Sequence, residues 1–391
     1  MRKVIWSEMN KIWSRPIIIC VFFLICLLQF VIPIQKVTED SRLFNQICNS
    51  MGGWMDETWI ASVNETYQKL WPTPCTSIED YWNADTEQQA VYYTYEFCYF
   101  AERLEDLMVQ QTALYGNTAV HAYKNLLESF RQGNLFFGTS PAAGIMSNQY
   151  PIALGFFVFM ILICVDLFSG EKENHISGIQ AASRHGRRVL LQSKWIVCQT
   201  SALIIWLISN IIYAISAGCF CGWGNLKCIV IDFQQNYCPY SWNMGIFLAV
   251  ILLCGFLVSQ VSALVIFLIA FHCRSTLQSF TCMGGFMVLP LLMASMIKHP
   301  VLSMYLPCLM DNRWLWSGLH LMHCGNLWIP YWLIALAEVM LILIFSIELL
   351  HRIFKNADSF GEESYSFFRQ KEQDTKRKTE GRRSGIHYDK I

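Results

Sequence analysis

Six long apolar runs divide this chain, at about 16–36, 151–169, 195–218, 244–272, 279–297 and 329–350. A helix of about 20 apolar residues crosses the roughly 30 Å hydrocarbon core of a bilayer, and each run is near that length. The pattern predicts an all-α polytopic membrane protein with six transmembrane helices. The fifth run, SFTCMGGFMVLPLLMASMI, is the weakest, because Gly284, Gly285 and Pro290 interrupt it.

The polar stretches between the runs are unequal. Residues 1–15 place Ile5, Met9, Ile12 and Trp13 on one face of a short helix, with Lys3, Ser7, Asn10 and Ser14 elsewhere. An interfacial anchor and a partner-binding helix both fit that pattern. Residues 37–150 form the one sizeable water-exposed region. Its first half is rich in Gly, Pro and Trp with little periodicity. From about Thr86 to Gln132 it turns helical, with Leu104, Leu107, Met108 and Leu114 at helical spacing and Gly133 as a stop. A small, mainly helical exoplasmic domain is expected here. Residues 351–391 form a basic tail, and KEQDTKRKTEGRR within it has the composition of a flexible segment.

Apolar residues make up 54% of the 391 and charged residues 15%, as expected for a membrane protein. Net charge is zero, so orientation must come from where the charges fall. The N-terminus, the loop at 170–194, the turn HCRSTLQ and the tail hold 20 of the 29 Lys and Arg residues. The remaining polar segments hold nine, against 16 acids. The excess of basic residues on cytoplasmic loops puts the first group inside. Both termini then lie in the cytoplasm of a multi-pass protein of the cell membrane. A five-span chain would expose the basic tail outside, so the charge count supports the fifth span. Arg2, Lys3, Lys11 and Arg15 precede the first run, as in a signal peptide. The run is long, however, and no small-x-small site follows it, so an uncleaved first span is expected.

Enzyme motifs are missing. GxxxxGK[ST] is absent, so the chain has no P-loop of its own to cradle ATP phosphates, and GxSxG, HExxH and GxGxxG are absent too. No catalytic, cofactor or metal site is expected in the chain, nor a nucleic-acid partner. Nine of the 16 cysteines fall in or beside the outer segments, an odd number whose pairing spacing does not decide. CFCGWGNLKC lacks the paired CxxC spacing of a zinc site. His320 and His323 lie near Cys324 in an outer loop, which could suggest a metal, but an amphipathic re-entrant segment is the simpler explanation. Among the acids at membrane depth, Asp166 and Glu348 sit at span ends. Glu338 lies nearer the middle of the sixth run. A proton-relay or substrate role would use it. A structural acid bonded to Ser, Asn or Gln of a neighbouring helix is the simpler reading, since no second membrane-centre ion accompanies it.

The stretch Ser169–Lys194, SGEKENHISGIQAASRHGRRVLLQSK, is the strongest lead. It carries Glu171 and Glu173 first, then Ile176, Gly178 and Ile179, then Arg184, Arg187, Arg188 and Lys194. Acids at the start of a helix meet the positive end of its dipole. The bases then fall at the headgroups. A minimal hairpin between spans needs only a few residues, so the length and order require a further reason.

With DLF before it, this stretch resembles the segment after the second span in permeases of the ATP-binding-cassette (ABC) type 2 family. Those permeases show Glu-x-Glu leaving the span, then a Gly, a small residue, an Arg, and a Lys that opens the third span. Glu171, Glu173, Gly178, Ser183, Arg187 and Lys194 match in turn, with Arg184 a second choice for the Arg. The family's Gly-Thr pair is not kept, because Ile179 follows Gly178. The layout is similar as well: a basic amphipathic N-terminus, one span, a large exoplasmic insert and five more spans. The resemblance implies a permease subunit of an exporter. Its 170–194 loop would dock as a coupling helix on a separate ABC-type ATPase subunit, which supplies ATP and Mg chemistry. It implies a homodimer or heterodimer with a second permease, surrounded by membrane lipid. Peptide antibiotics, lipids and drugs all remain open as cargo. A non-transporting membrane sensor or assembly protein with a ligand-binding exoplasmic domain is the alternative. A polytopic membrane enzyme ranks below both, for want of outer-face catalytic clusters.

The orientation is directly testable. A reporter active only in the cytoplasm, fused after Ile391, should be active, and 37–150 should be open to impermeant reagents from outside. An exoplasmic C-terminus would overturn the six-span reading.

Overall fold

The computed structural model describes the chain except residues 1, 73, 74, 76, 116, 170–185, 231–237, 239, 241, 274, 298, 317, 325, 326 and 356–391. The tail expected to be flexible lies almost wholly outside the described residues.

Six helices are long and apolar enough to cross a membrane: Pro16–Gln35, Tyr150–Phe168, Arg188–Cys221, Met244–His272, Thr276–Ile297 and Tyr331–Lys355. The chain is thus an all-α polytopic membrane protein, with the six expected spans in place. The interrupted fifth run stays one continuous span. It widens into a π-turn over Gly284–Val288, and Pro290 sits just beyond, in the helical segment Leu289–Ile297. A π-turn loosens the i→i−4 ladder where Pro290 cannot donate to it.

The N-terminal helix α1 (Arg2–Trp13) packs against the third span. Ile12 is fully buried there, and Ile5, Met9 and Trp13 pack on the same core, so the expected apolar face is the one that docks. The first span, α2 (Pro16–Gln35), buries Ile18, Ile25 and Gln29, and leaves Phe23, Leu24 and Leu27 exposed, as a lipid-facing helix does. The core of the bundle is built from the second, third and fourth spans, with Phe156, Phe157, Ile205, Tyr213, Phe267 and Ile266 almost inaccessible.

Between the first two spans lies a helical domain with its own core of Trp59, Val63, Phe97, Phe100, Leu104, Tyr123 and Phe137. Its first half is more helical than its Gly, Pro and Trp content suggests. Helices α3 (Glu39–Ser50), α4 (Glu57–Leu70) and α5 (Ile78–Asn83) fill it, each announced by a side-chain cap. Thr38 and Ser77 open capping boxes, and Asp56 accepts from the Trp59 N–H. Sparse periodicity hid these helices; the capping residues mark them. Then follow α6 (Thr86–Glu96), α7 (Phe100–Tyr115) and α8 (Asn117–Arg131). In α7, Leu104 is buried and Leu107 and Met108 are partly so, while Leu114 stays exposed. Helix α8 stops as expected at Gly133, whose φ is +68° and whose N–H reaches Phe130 O.

A backbone seam joins this domain to the bundle. Strands β1 (Gly53–Trp54) and β2 (Phe136–Phe137) pair antiparallel. Ile229 N–H then donates to Phe136 O, Asn225 N–H to Thr139 O, and Ala142 N–H to Gly222 O. Short helix α9 (Pro141–Ser147) leads into the second span, α10 (Tyr150–Cys164). The segment after the third span therefore lies along the segment before the second. Gly224 is the tight point: its φ is +59°, and a Cβ there would stand 2.1 Å from Thr139 O.

Gly224→Ala should cost about 2–4 kcal/mol, since left-handed strain adds to a backbone collision. Gly222→Ala, with φ +78° but open space around a Cβ, should cost only about 1 kcal/mol. Unfolding of the two purified variants in detergent checks the order.

Candidate functional site

The loop that resembles a coupling element leaves the bundle at the end of the second span. There α10 runs into a π-turn, Val165–Ser169. A π-turn shifts the hydrogen-bond ladder and leaves carbonyls needing other donors. The Lys194 ammonium, from the third span, donates to Leu167 O and lies 5.1 Å from the centre of the Phe168 ring. Lys194 is only 3% exposed. The expectation that it anchors the third span among lipid headgroups is therefore corrected. Its ammonium sits at the negative end of the second span's dipole, where a cation is favoured.

One residue before Leu167, Asp166 forms an ion pair with Arg15, the residue joining α1 to the first span. The partners differ in burial: the Asp166 side chain is 10% exposed and that of Arg15 48%. Phe168 stands edge-on to Phe267 and Phe271 of the fourth span, with ring centres 5.0 and 6.1 Å apart. Trp13 packs on Phe22 and Phe159 at 5.5 and 5.8 Å. Hence α1 and the first four spans converge on the turn from which the loop departs.

Of the residues singled out in the loop, Glu171, Glu173, Ile176, Gly178, Ile179 and Arg184 lie outside the described residues. Arg187 does not close a loop. It sits in the first turn of the third-span helix, which begins at Gly186, so that helix starts well before the expected 195. The helix takes in the basic residues because nothing between Gly186 and Lys194 breaks it: the run is RRVLLQS, with no Pro and no further Gly. Sequence reasoning missed the Arg15–Asp166 pair. Its signal was present: a base just before the first apolar run and an acid at the finish of the second, ends that two antiparallel spans bring to one face.

The opposite end of the second span is closed by another charge. The Asp311 carboxylate, from the segment between the fifth and sixth spans, accepts from the Gln149 N–H at 3.0 Å, at the helix start. Burial pushes its pKa up to about 6, against the pull of that N–H and of Arg313 and Lys36. Near it, Asn312 donates to Ile251 O at 3.2 Å and accepts from the Trp316 indole.

Glu338 is half-buried and lies near the Leu306 backbone N–H, in the segment between the fifth and sixth spans. The His323 ring lies tilted against that of Trp328, centres 4.6 Å apart, in a hairpin of β3 (Leu321–Cys324) and β4 (Leu327–Pro330), and His320 lies 5.3 Å from Trp314. Among the described residues no three His, Cys, Asp or Glu side chains gather as a metal site. Among the described residues fifteen cysteines are free thiols, including the outer candidates Cys48, Cys75, Cys98, Cys219, Cys221, Cys228, Cys238 and Cys308.

No protein-family model, curated protein or solved structure matches this chain.

The unequal burial of the ion pair sets an order of effects. Arg15→Gln takes a cation from a nearly buried carboxylate and should cost about 1–3 kcal/mol. Asp166→Asn leaves Arg15 able to turn to water and should cost less than about 1 kcal/mol. The double variant should resemble Asp166→Asn alone. A double-mutant cycle by unfolding in detergent decides, and equal single effects would contradict the asymmetry.

Proposed function

We propose that this protein is the permease subunit of an ABC-type exporter. It forms the pathway across the membrane and is driven by a separate ATPase subunit docked on the 170–194 loop. The observation that carries the reading is the acid-first, base-last stretch from Glu171 to Lys194, with its Glu-x-Glu and its Lys at the third span. The way Lys194 binds the end of the second span supports it. A push on a loop between two spans does mechanical work only if both spans respond, and here one ammonium bridges them. Without a P-loop in the chain, ATP and Mg act in the partner. In the cell membrane, with both termini cytoplasmic, the loop faces the ATPase and the 37–150 domain faces outside. A second permease, the same or different, completes the pathway.

In the loop, Ile176 and Ile179 stand at i and i+3, the spacing of one helical face. Burying both against a partner is worth roughly 3–6 kcal/mol in gross transfer terms, before the costs of association. Ile176→Asp with Ile179→Asp should abolish co-purification of the ATPase while the permease still inserts and folds. Arg369→Ala in the tail is the control and should change little. If the double variant recruits and stimulates the ATPase normally, the loop is not the coupling element.

A further inference from the structure

At the end of the bundle that carries the helical domain, a cavity of about 570 Å³ opens between α3 and the last turn of the third span. One wall is the polar face of α3. Arg42, Asn45, Gln46 and Asn49 recur there at helical spacing and all line the cavity. The other wall is Cys219 to Gly222, with Gly224 beside it. Among the lining residues Arg42 carries the one charge, and no carboxylate joins it.

Open donors remain here on Arg42 and Asn49, while the Asn45 amide nitrogen is spent on Ser41 O at 2.6 Å. Arg42 Nε donates to Phe220 O at 3.0 Å, which leaves the two terminal nitrogens of its fork for another acceptor. Asn49 Oδ1 accepts from the Thr139 N–H at 2.8 Å, so its amide nitrogen is the end still available, next to Gly224. Gln46 is exposed on the same face. The end of the third span opposes an anion, because carbonyls there carry the negative end of the dipole. That opposition is reduced where it would be felt: Phe220 O is held by Arg42, and Gly222 O by the Ala142 N–H. A planar carboxylate would engage the guanidinium fork alone. A tetrahedral phosphoryl group offers oxygens to the fork and to the amides at once.

We propose that this cavity binds a phosphoryl group. The first span ends at Gln35, and Arg42 follows within two turns of α3, so the cavity opens at the membrane boundary. Its phosphoryl group comes either from a lipid headgroup or from a soluble phosphate. The inference is independent of the transport reading, since nothing in it uses the 170–194 loop.

Cys219 reports occupancy, because it is exposed and forms part of the wall. The measurement is the alkylation rate of Cys219 by a charged maleimide, read by peptide mass spectrometry on the full chain. Two arms separate the sources. In detergent, inorganic phosphate is added. In nanodiscs without added phosphate, phosphatidylglycerol is compared with a galactolipid that contains no phosphorus. Protection by inorganic phosphate in detergent supports a soluble ligand. Protection in phosphatidylglycerol but not in galactolipid supports a headgroup. In either arm Arg42→Gln should weaken protection roughly tenfold or more, as expected for loss of a charge-assisted hydrogen bond. Gln46→Glu places a carboxylate in the cavity one helical turn from Arg42, where it competes for the guanidinium fork, and should weaken protection. Arg131→Gln, on α8, should leave it unchanged. No protection in either arm overturns the proposal, and so does a Gln46→Glu variant protected as well as the parent.

Discussion

The second span is closed at each end by a charge from elsewhere in the chain, and the signs match its dipole. Asp311 accepts from the Gln149 N–H at the helix start, and the Lys194 ammonium holds Leu167 O at its finish. Helix ends leave backbone groups without intrahelical partners. In a bilayer those groups have no water to turn to, so other parts of the protein must supply partners. Here the demand recruits the third span at one end and the segment before the sixth at the other. The rest of the packing follows from where those two contacts must be made. Phe168 is brought against the fourth span, and the neighbouring Asp166 draws in Arg15 and with it α1.

Much of this architecture was legible in the sequence, and the unread parts share a cause. Long apolar runs report membrane spans because the bilayer imposes both length and composition. The fifth run survived two glycines and a proline because a π-turn absorbs them locally. The face of α1 was readable because period 3.6 is strong in a short amphipathic helix. The helices α3 to α5 were not, because their stability rests on capping boxes and on a few aromatic side chains rather than on a stripe. Trp59, Val63 and Tyr67 in α4 are each buried, one every four residues, yet Gly, Pro and Trp nearby obscured the spacing. At the candidate site, the charge order from Glu171 to Lys194 could be read from sequence, but the depth of Lys194 could not. A lysine at the edge of an apolar run looks the same whether it faces headgroups or a neighbouring carbonyl. Only the π-turn opposite, with carbonyls to satisfy, decides between them.

The domain between the first two spans is not a bead on a string. Its β2 strand, the stretch to Ala142 and the segment from Gly222 to Ile229 share backbone hydrogen bonds, and Ile229 enters the domain's own core. Backbone contacts of this kind fix distance and direction together, which side-chain packing alone does less strictly. The left-handed Gly224 lets the two segments approach closely enough to bond. Loss of that approach would loosen the domain from both flanking spans at once.

The second and third spans are therefore joined twice, by Lys194 at one end and by the backbone seam at the other. Two helices pinned at both ends resist shearing past one another, so they respond to a load as a pair. A force entering through a loop between them would tilt the pair rather than bend either member. The tilt would reach the far end undiminished in angle, and the seam would hand it to the helical domain. The fifth and sixth spans are only thinly buried against the bundle, each 17% over its most apolar window. In a bilayer, relative motion costs least where helices share the least packing. The boundary between the pinned pair with its close neighbours and these two peripheral spans is thus where the bundle has most freedom to open. Asp311 spans that boundary from the segment between the fifth and sixth spans, which makes its hydrogen bond to Gln149 the contact such an opening must break or carry with it.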